Sequence, residues 1–207
     1  MPSWEIRGCT VADAAELARN NMSAFWEDPT WILLWLEHVT KEFLIEQATK
    51  RYPRSLLRDR TLNRHQKAVD PATGTLVGYA RWVLPEVLEC DGSGRPTWPQ
   101  AQVPAVTADE EEELRRLAES AWWEELDYLA VHPNNKGKGI GTALVEAGMG
   151  YAEKARLPIF AMAFKAGFGI YRRLGFKEDE RVIQDDSQFG GKGEYGAYFM
   201  IYDVKSG

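Results

Sequence analysis

Glycine occupies every second position near the middle of the chain, interleaved with two lysines in residues 136–141 (KGKGIG). Residues 126–131 precede this run with the period-two alternation of a strand, which Pro133 ends. From Ile140 onward, apolar residues recur at helical spacing. A strand, a glycine turn and a helix N-terminus together form an anion site, because free N–H groups and the helix dipole point toward the turn. The pattern therefore predicts a phosphate ligand, and a pyrophosphate in particular.

The spacing excludes the two commonest phosphate-binding motifs. A P-loop needs four residues between its first glycine and a Gly-Lys-Ser/Thr sequence, which the chain lacks. A dinucleotide-binding fingerprint needs G-x-G-x-x-G and an acidic residue near the end of the next strand. The glycines here run G-x-G-x-G, and the next predicted strand, residues 157–163, carries no acid and leads to Lys165.

Two motifs remain, about thirty residues apart and in a fixed order. The first is K-x-x-G-x-G at residues 136–141, preceded by L-x-V-x-P at residues 129–133. The second is A-G-x-x-x-Y-x-x-x-G-F at residues 166–176. Together they resemble the acetyl-CoA signature and the tyrosine element of the GNAT (N-acetyltransferase) superfamily. Lys136 departs from the Gln or Arg that is usual in that family.

The resemblance implies an α/β (α+β) fold of GNAT type. A mixed, mostly antiparallel seven-stranded sheet is expected, with helices on both faces and with parallel strands 4 and 5 splayed around acetyl-CoA. The pantetheine arm would pair with the edge of strand 4, and the turn amides would hold the diphosphate. The expected cofactor-binding residues are Leu129, Ala130, Val131, Lys136, Gly137, Lys138, Gly139, Ile140, Gly141 and Thr142.

The same resemblance assigns catalytic roles. Glu125 falls on the position of the family's strand-4 base, and Asp127 lies on the same face of that strand. A base is needed because an alkylamine is mostly protonated at pH 7. Tyr171 matches the tyrosine that protonates the departing thiolate, while a backbone N–H at or near Val131 would polarise the thioester carbonyl. His132 has two open roles, as a proton relay or as a cap of the turn.

Length and composition favour one folded domain over residues 1–207. The 207 residues carry a net charge of −6, which argues against general nucleic-acid binding. Two cysteines are too few for a disulfide framework, no metal site is indicated, and no apolar run is long enough to span a membrane. The expected protein is soluble and cytoplasmic.

Predicted elements place the acceptor side of the site. The spacing predicts a strand at residues 3–10, a helix at 11–26 capped by Thr10, a second helix at 30–50, a hairpin at 65–84 and two antiparallel strands after residue 175. An insertion at residues 85–123 separates strands 3 and 4 and is expected to form part of the acceptor wall or a lid. The candidates for substrate contacts are Trp26, Trp31, Trp35 and Trp98.

The expected activity is transfer of an acetyl group from acetyl-CoA to the primary amine of a small molecule by direct attack. Two alternatives remain open at this point: acetylation of a protein or peptide amine, and a non-catalytic CoA-binding module. Lys165 has two open roles, either near a CoA phosphate or facing solvent. The sequence leaves the oligomeric state open between monomer and homodimer.

Overall fold

The computed structural model describes residues 4–85, 97–122 and 129–204. Within these ranges the chain forms seven strands and six α-helices. The strands are β1 (Glu5–Gly8), β2 (Asn63–Val69), β3 (Leu76–Val83), β4 (Ala130–Val131), β5 (Ile159–Phe164), β6 (Lys177–Gln184) and β7 (Tyr195–Tyr202). The helices are α1 (Ala14–Trp26), α2 (Pro29–Ile32), α3 (Lys41–Leu57), α4 (Ala108–Glu119), α5 (Ile140–Ala155) and α6 (Lys165–Arg173).

The strands form two antiparallel sheets. One has the order β1-β2-β3-β4 and the other the order β5-β7-β6. No ladder joins β4 to β5 within the described ranges, so the sheet is divided where the sequence predicts splayed strands. We call this division between β4 and β5 the seam. Of the predicted mixed sheet, the antiparallel pairings are present, while the seam has no parallel pairing.

Helices cover both faces of the first sheet. Tyr79 of β3 packs in a cluster with Leu17 of α1 and Leu44 of α3. The next residue, Ala80, packs with Leu144 of α5. Successive strand residues point to opposite faces, so α1 and α3 lie on one side and α5 on the other. A further cluster joins α5 and α6 to the second sheet.

The predicted helix over residues 30–50 is wrong, because the structure breaks it in two. Asp28 caps the short α2, accepting hydrogen bonds from the N–H groups of Thr30 and Trp31 at 2.9 and 3.2 Å. Thr40 starts α3 with a new cap, accepting from the Phe43 N–H at 3.1 Å. The helix then continues through Pro53 to Leu57. Two separate caps favour two helices over one.

The described part of the insertion packs against the first half of the chain. Arg64 of β2 is 2% exposed, and its guanidinium donates to the Trp98 carbonyl at 3.0 Å. Helix α4 begins at a capping box of Thr107 and Glu110 and packs against α3. Residues 86–96 lie outside the described ranges. Among the helices described, none combines the length and apolar character needed to span a membrane.

Candidate active site

The glycine turn follows β4 directly and leads into α5. Proline ends the strand, and His132 caps the short turn at Pro133–Asn135 by accepting a hydrogen bond from the Asn134 N–H at 3.3 Å. Gly137 and Gly139 then adopt φ angles of +77° and +81°. Both lie in the left-handed region that favours glycine, so these two positions define the shape of the turn.

The turn leaves room for an anion beside main-chain donors. A Cβ placed on Gly137 or Gly139 would have no neighbouring heavy atom within 4 Å. The first-turn amides of α5 have no intrahelical acceptor, and Ala143 is the first to bond back, to the Gly139 carbonyl at 3.0 Å. Open space at the two glycines, first-turn amides without an intrahelical acceptor and the positive end of a 16-residue helix fit a diphosphate.

The side chains of the two lysines are engaged elsewhere. Lys136 forms an ion pair with Glu27 at the end of α1, with Nζ and Oε2 2.5 Å apart. Lys138 donates to the Asn135 amide oxygen at 2.8 Å, and its carbonyl accepts from the Trp4 indole at 2.9 Å. The anion-binding capacity of the turn therefore comes mainly from backbone groups, while Lys136 links the turn to α1.

Three elements meet at Gly141. A Cβ on this residue would lie 3.0 Å from Ile170 Cδ1 of α6, 3.8 Å from Leu129 and 3.9 Å from Val131. The start of α5, the end of β4 and the middle of α6 thus converge at the seam, and Ile170 adjoins Tyr171. The structure brings together the predicted turn, the predicted strand edge and the segment that carries the predicted tyrosine.

Tyr171 belongs to α6, and its half-buried side chain packs toward the second sheet. Its ring packs edge-on against Phe176, with the centroids 5.2 Å apart. Burial raises the pKa of the Tyr171 hydroxyl above its ordinary value. The phenol is therefore fully protonated at neutral pH, which is the state that a proton donor needs.

His132 fills the capping role among its two predicted roles. Its Nδ1 lone pair accepts from the turn, and burial, together with the nearby Lys41, lowers the pKa of the imidazole. A neutral ring with Nδ1 engaged in the turn serves as a cap. The predicted carboxylates Glu125 and Asp127 lie outside the described residues, and their role as bases stays a prediction.

Comparison with known proteins places this arrangement in a family. The sequence profile of the Acetyltransferase (GNAT) domain matches residues 105–178, which contain both motifs and the seam. Residues 105–178 therefore carry the sequence pattern of the Acetyltransferase (GNAT) domain, and the fold is of GNAT type.

Solved GNAT structures share the fold over nearly the whole chain. One is a protein from Corynebacterium glutamicum described as "histone acetyltransferase HPA2 and related acetyltransferase". It aligns with a TM-score of 0.61 and 17% sequence identity, over 99% of this chain and 98% of that one. The PaiA N-acetyltransferase from Thermoplasma acidophilum, in complex with coenzyme A, aligns with a TM-score of 0.53 and 18% identity, over 97% of this chain and 99% of that one. YncA, a putative acetyltransferase from Salmonella typhimurium with acetyl-CoA, aligns with a TM-score of 0.51 and 17% identity, over 99% of this chain and 96% of that one. A search of curated protein sequences finds no match.

An aromatic cluster lies on the α1–α3 side of this GNAT fold. Trp31 contacts both Trp26 and Trp35, with centroid distances of 6.4 and 5.0 Å. Trp35 in turn lies 6.2 Å from Trp122, at the end of the described insertion, and Trp122 lies 5.5 Å from Phe43. Three of the four candidate tryptophans thus form one cluster with the insertion.

Trp98, the fourth candidate tryptophan, lies elsewhere. It is 8% exposed and stacks on Tyr151 of α5 at 4.5 Å, in a separate cluster with Leu84 and Ala101. Its indole packs inside this cluster, so we leave it out of the acceptor wall proposed below.

The connection between β6 and β7 reaches back to α2, which the sequence did not predict. Asp186 is 6% exposed and accepts hydrogen bonds from the Thr30 hydroxyl at 3.0 Å and the Gly193 N–H at 2.8 Å. Lys165, the first residue of α6, pairs with Glu194 of the same connection at 2.6 Å, and this hydrogen bond raises the pKa of the lysine. Lys165 is exposed to solvent, and its ion pair with Glu194 links α6 to the β6–β7 connection.

Proposed function

We propose that this GNAT protein is an acetyl-CoA-dependent N-acetyltransferase whose acceptor is the primary amine of a small molecule. The observation that carries the proposal is the convergence at Gly141 of the glycine turn, the end of β4 and the α6 segment next to Tyr171. Two related folds, the PaiA and YncA proteins, are described with coenzyme A and acetyl-CoA respectively. Backbone donors at the turn, and a protonated phenol on the residue next to Ile170, suit a thioester of a diphosphate-bearing carrier.

Each part of the site has one task in the proposed reaction. The amides from Gly137 to Thr142 bind the diphosphate, and the seam edge of β4 pairs with the pantetheine amides. Bound acetyl-CoA supplies a thioester carbonyl that the amine attacks, so that a C–N bond forms and the C–S bond breaks. Val131 N–H donates to the carbonyl oxygen, Glu125 or Asp127 accepts the amine proton, and Tyr171 protonates the sulfur.

The acceptor wall consists of the aromatic cluster and the β6–β7 connection. Trp26, Trp31 and Trp35 border it on one side, while Trp122 brings the end of the insertion against them. Asp186 joins the β6–β7 connection to α2 on the other side. An apolar wall built from several segments suits a small acceptor that is largely enclosed on binding. Related folds include the ribosomal-protein-S18-alanine N-acetyltransferase from Escherichia coli, so the fold by itself leaves the acceptor open.

The proposal is tested by measuring binding and turnover separately. Calorimetry with acetyl-CoA tests the cofactor, and chromatographic measurement of CoA release tests a panel of alkylamines, aromatic amines, amino acids and short peptides. We expect release with small amines, and loss of release in Tyr171→Phe but not in the matched control Tyr151→Phe. Release with peptides alone would favour protein acetylation, and binding without any release would favour a CoA-binding module. No binding by the folded protein would refute the proposal.

A further inference from the structure

Two consecutive asparagines lie buried in α1 beneath β4. Asn20 is 2% exposed and Asn21 is fully buried, in a helix whose other buried residues are apolar apart from Ser23. Burying an amide side chain is unfavourable unless its polar atoms are hydrogen-bonded. The partners of Asn20 therefore indicate why an amide is needed at this position.

The carboxamide of Asn20 binds the backbone of β4 at two points. Its Nδ2 donates to the Ala130 carbonyl at 3.2 Å, and its Oδ1 accepts from the His132 N–H at 3.0 Å. Its second Nδ2 hydrogen goes to the Asn21 side-chain oxygen at 2.8 Å, and Asn21 donates to the Tyr52 hydroxyl at 2.5 Å. Every polar group of the Asn20 side chain is thus used, and two of its three bonds go to the strand.

These two contacts fix the peptide groups on both sides of Val131. The Ala130 carbonyl and the Val131 N–H belong to one planar trans peptide, so they point in opposite directions. Holding the carbonyl toward α1 consequently directs the Val131 N–H the other way. The Val131 carbonyl and the His132 N–H form the next peptide, which the Asn20 oxygen holds in the same manner.

The ladder to β3 agrees with this orientation. Val131 pairs with Gly78 and Ala130 with Tyr79, and His132 also donates to the Val77 carbonyl at 3.3 Å. In an antiparallel pair, the backbone groups of alternate residues point to opposite edges of the strand. Since His132 faces β3, the N–H of Val131 faces the seam, where the proposed thioester would lie.

We propose that Asn20 is a positioning residue that keeps the Val131 N–H aimed across the seam. The inference rests on the proposed function, because the N–H needs a carbonyl oxygen to polarise. A donor of this kind is effective only when its direction is set before the reaction. The described ladder of β4 is only two residues long, so the strand alone gives this peptide little support.

The test compares two ends of the same buried network. Asn20→Leu removes both contacts with β4 at nearly constant volume, while the control Tyr52→Phe removes the hydroxyl that binds Asn21 and leaves β4 untouched. We expect both variants to lose similar thermal stability. Only Asn20→Leu should lower kcat, by about 10- to 100-fold, because one oxyanion donor is worth roughly 100- to 1,000-fold and here it is misdirected rather than absent. The affinity for CoA, which has no acetyl carbonyl, should change less than about threefold.

A second measurement reads the donor directly. In wild-type protein, the amide proton of Val131 should shift downfield with acetyl-CoA relative to CoA, and this difference should persist in Tyr52→Phe but disappear in Asn20→Leu. Asn20→Asp keeps an acceptor for His132 and has no N–H for Ala130, so it decides the question if Asn20→Leu does not fold. Turnover by the wild-type protein establishes the proposed function first. A folded Asn20 variant with the kcat and Val131 shift of Tyr52→Phe would then overturn the positioning role alone.

Discussion

The glycine turn gives the sharpest prediction, because two glycines of similar conformation occur in very different places. Gly139 has φ +81° and Gly74, in the β2–β3 turn, has φ +72°. A Cβ at either position would meet no heavy atom within 4 Å. Alanine at either site therefore costs only backbone strain, about 1–2 kcal/mol for a left-handed residue. For a chain of this size, that corresponds to a fall in Tm of roughly 2–8 °C.

The two variants should differ in cofactor binding. At Gly139 the new methyl group occupies the space where the diphosphate would meet the amides of α5. Losing one hydrogen bond to a charged group costs about 1.5–3 kcal/mol, so the Kd for acetyl-CoA should rise roughly 10- to 100-fold. Gly74→Ala should bind acetyl-CoA with wild-type affinity, and calorimetry on both variants makes the comparison. Equal affinity in the two folded variants would refute the placement of the diphosphate at this turn.

Three further perturbations test other parts of the structure. Tyr171→Phe should lower kcat by about 100- to 10,000-fold with little change in the KM for acetyl-CoA, and an unchanged kcat would remove the phenol from the mechanism. Gly148→Ala should lower the free energy of unfolding by about 1–3 kcal/mol in urea, since its Cβ would collide with the Trp82 ring, while acetyl-CoA affinity stays constant. Burial lowers the pKa of His65 to about 4, below the ordinary 6.5. The unfolded chain therefore binds a proton first as the pH falls, and the stability due to His65 is lost from about pH 6.5 toward pH 4. Between pH 7.5 and 5, the His65 contribution should lower the free energy of unfolding of the wild-type protein by about 2 kcal/mol, and this contribution should be absent in His65→Gln. Equal pH dependence of the free energy of unfolding in the two proteins would contradict the lowered pKa of His65.

Local signals in the sequence were sufficient for the cofactor side of the site. The glycine spacing, the proline after β4 and the helical periodicity after Ile140 are all short-range features, and each element appears where it was expected. The predicted helix after Thr10 is local too, and it appears as a short 3-10 turn, Val11–Asp13, followed by α1.

The acceptor side depends on contacts between distant residues, which periodicity does not reveal. Asp186 and Thr30 meet across 156 residues, and nothing in a glycine-rich connection distinguished a buried carboxylate from a solvated one. Asn20 had a weak signal, since an asparagine three residues after Leu17 falls on the apolar face of α1. Proline usually interrupts a helix, yet α3 passes through Pro53.

The seam has a mechanical consequence for the whole molecule. The two sheets share no described backbone ladder. Helix α5, which packs against both sheets, and the Asp186–Thr30 hydrogen bond are described contacts that tie one half of the fold to the other. A cofactor that hydrogen-bonds along β4 and binds at the N-terminus of α5 would act as an additional strand between the two sheets and connect the two halves of the fold. The same hydrogen bonds would then contribute both to acetyl-CoA affinity and to the free energy of unfolding. Saturating the protein with acetyl-CoA would also make regions far from the thioester more rigid.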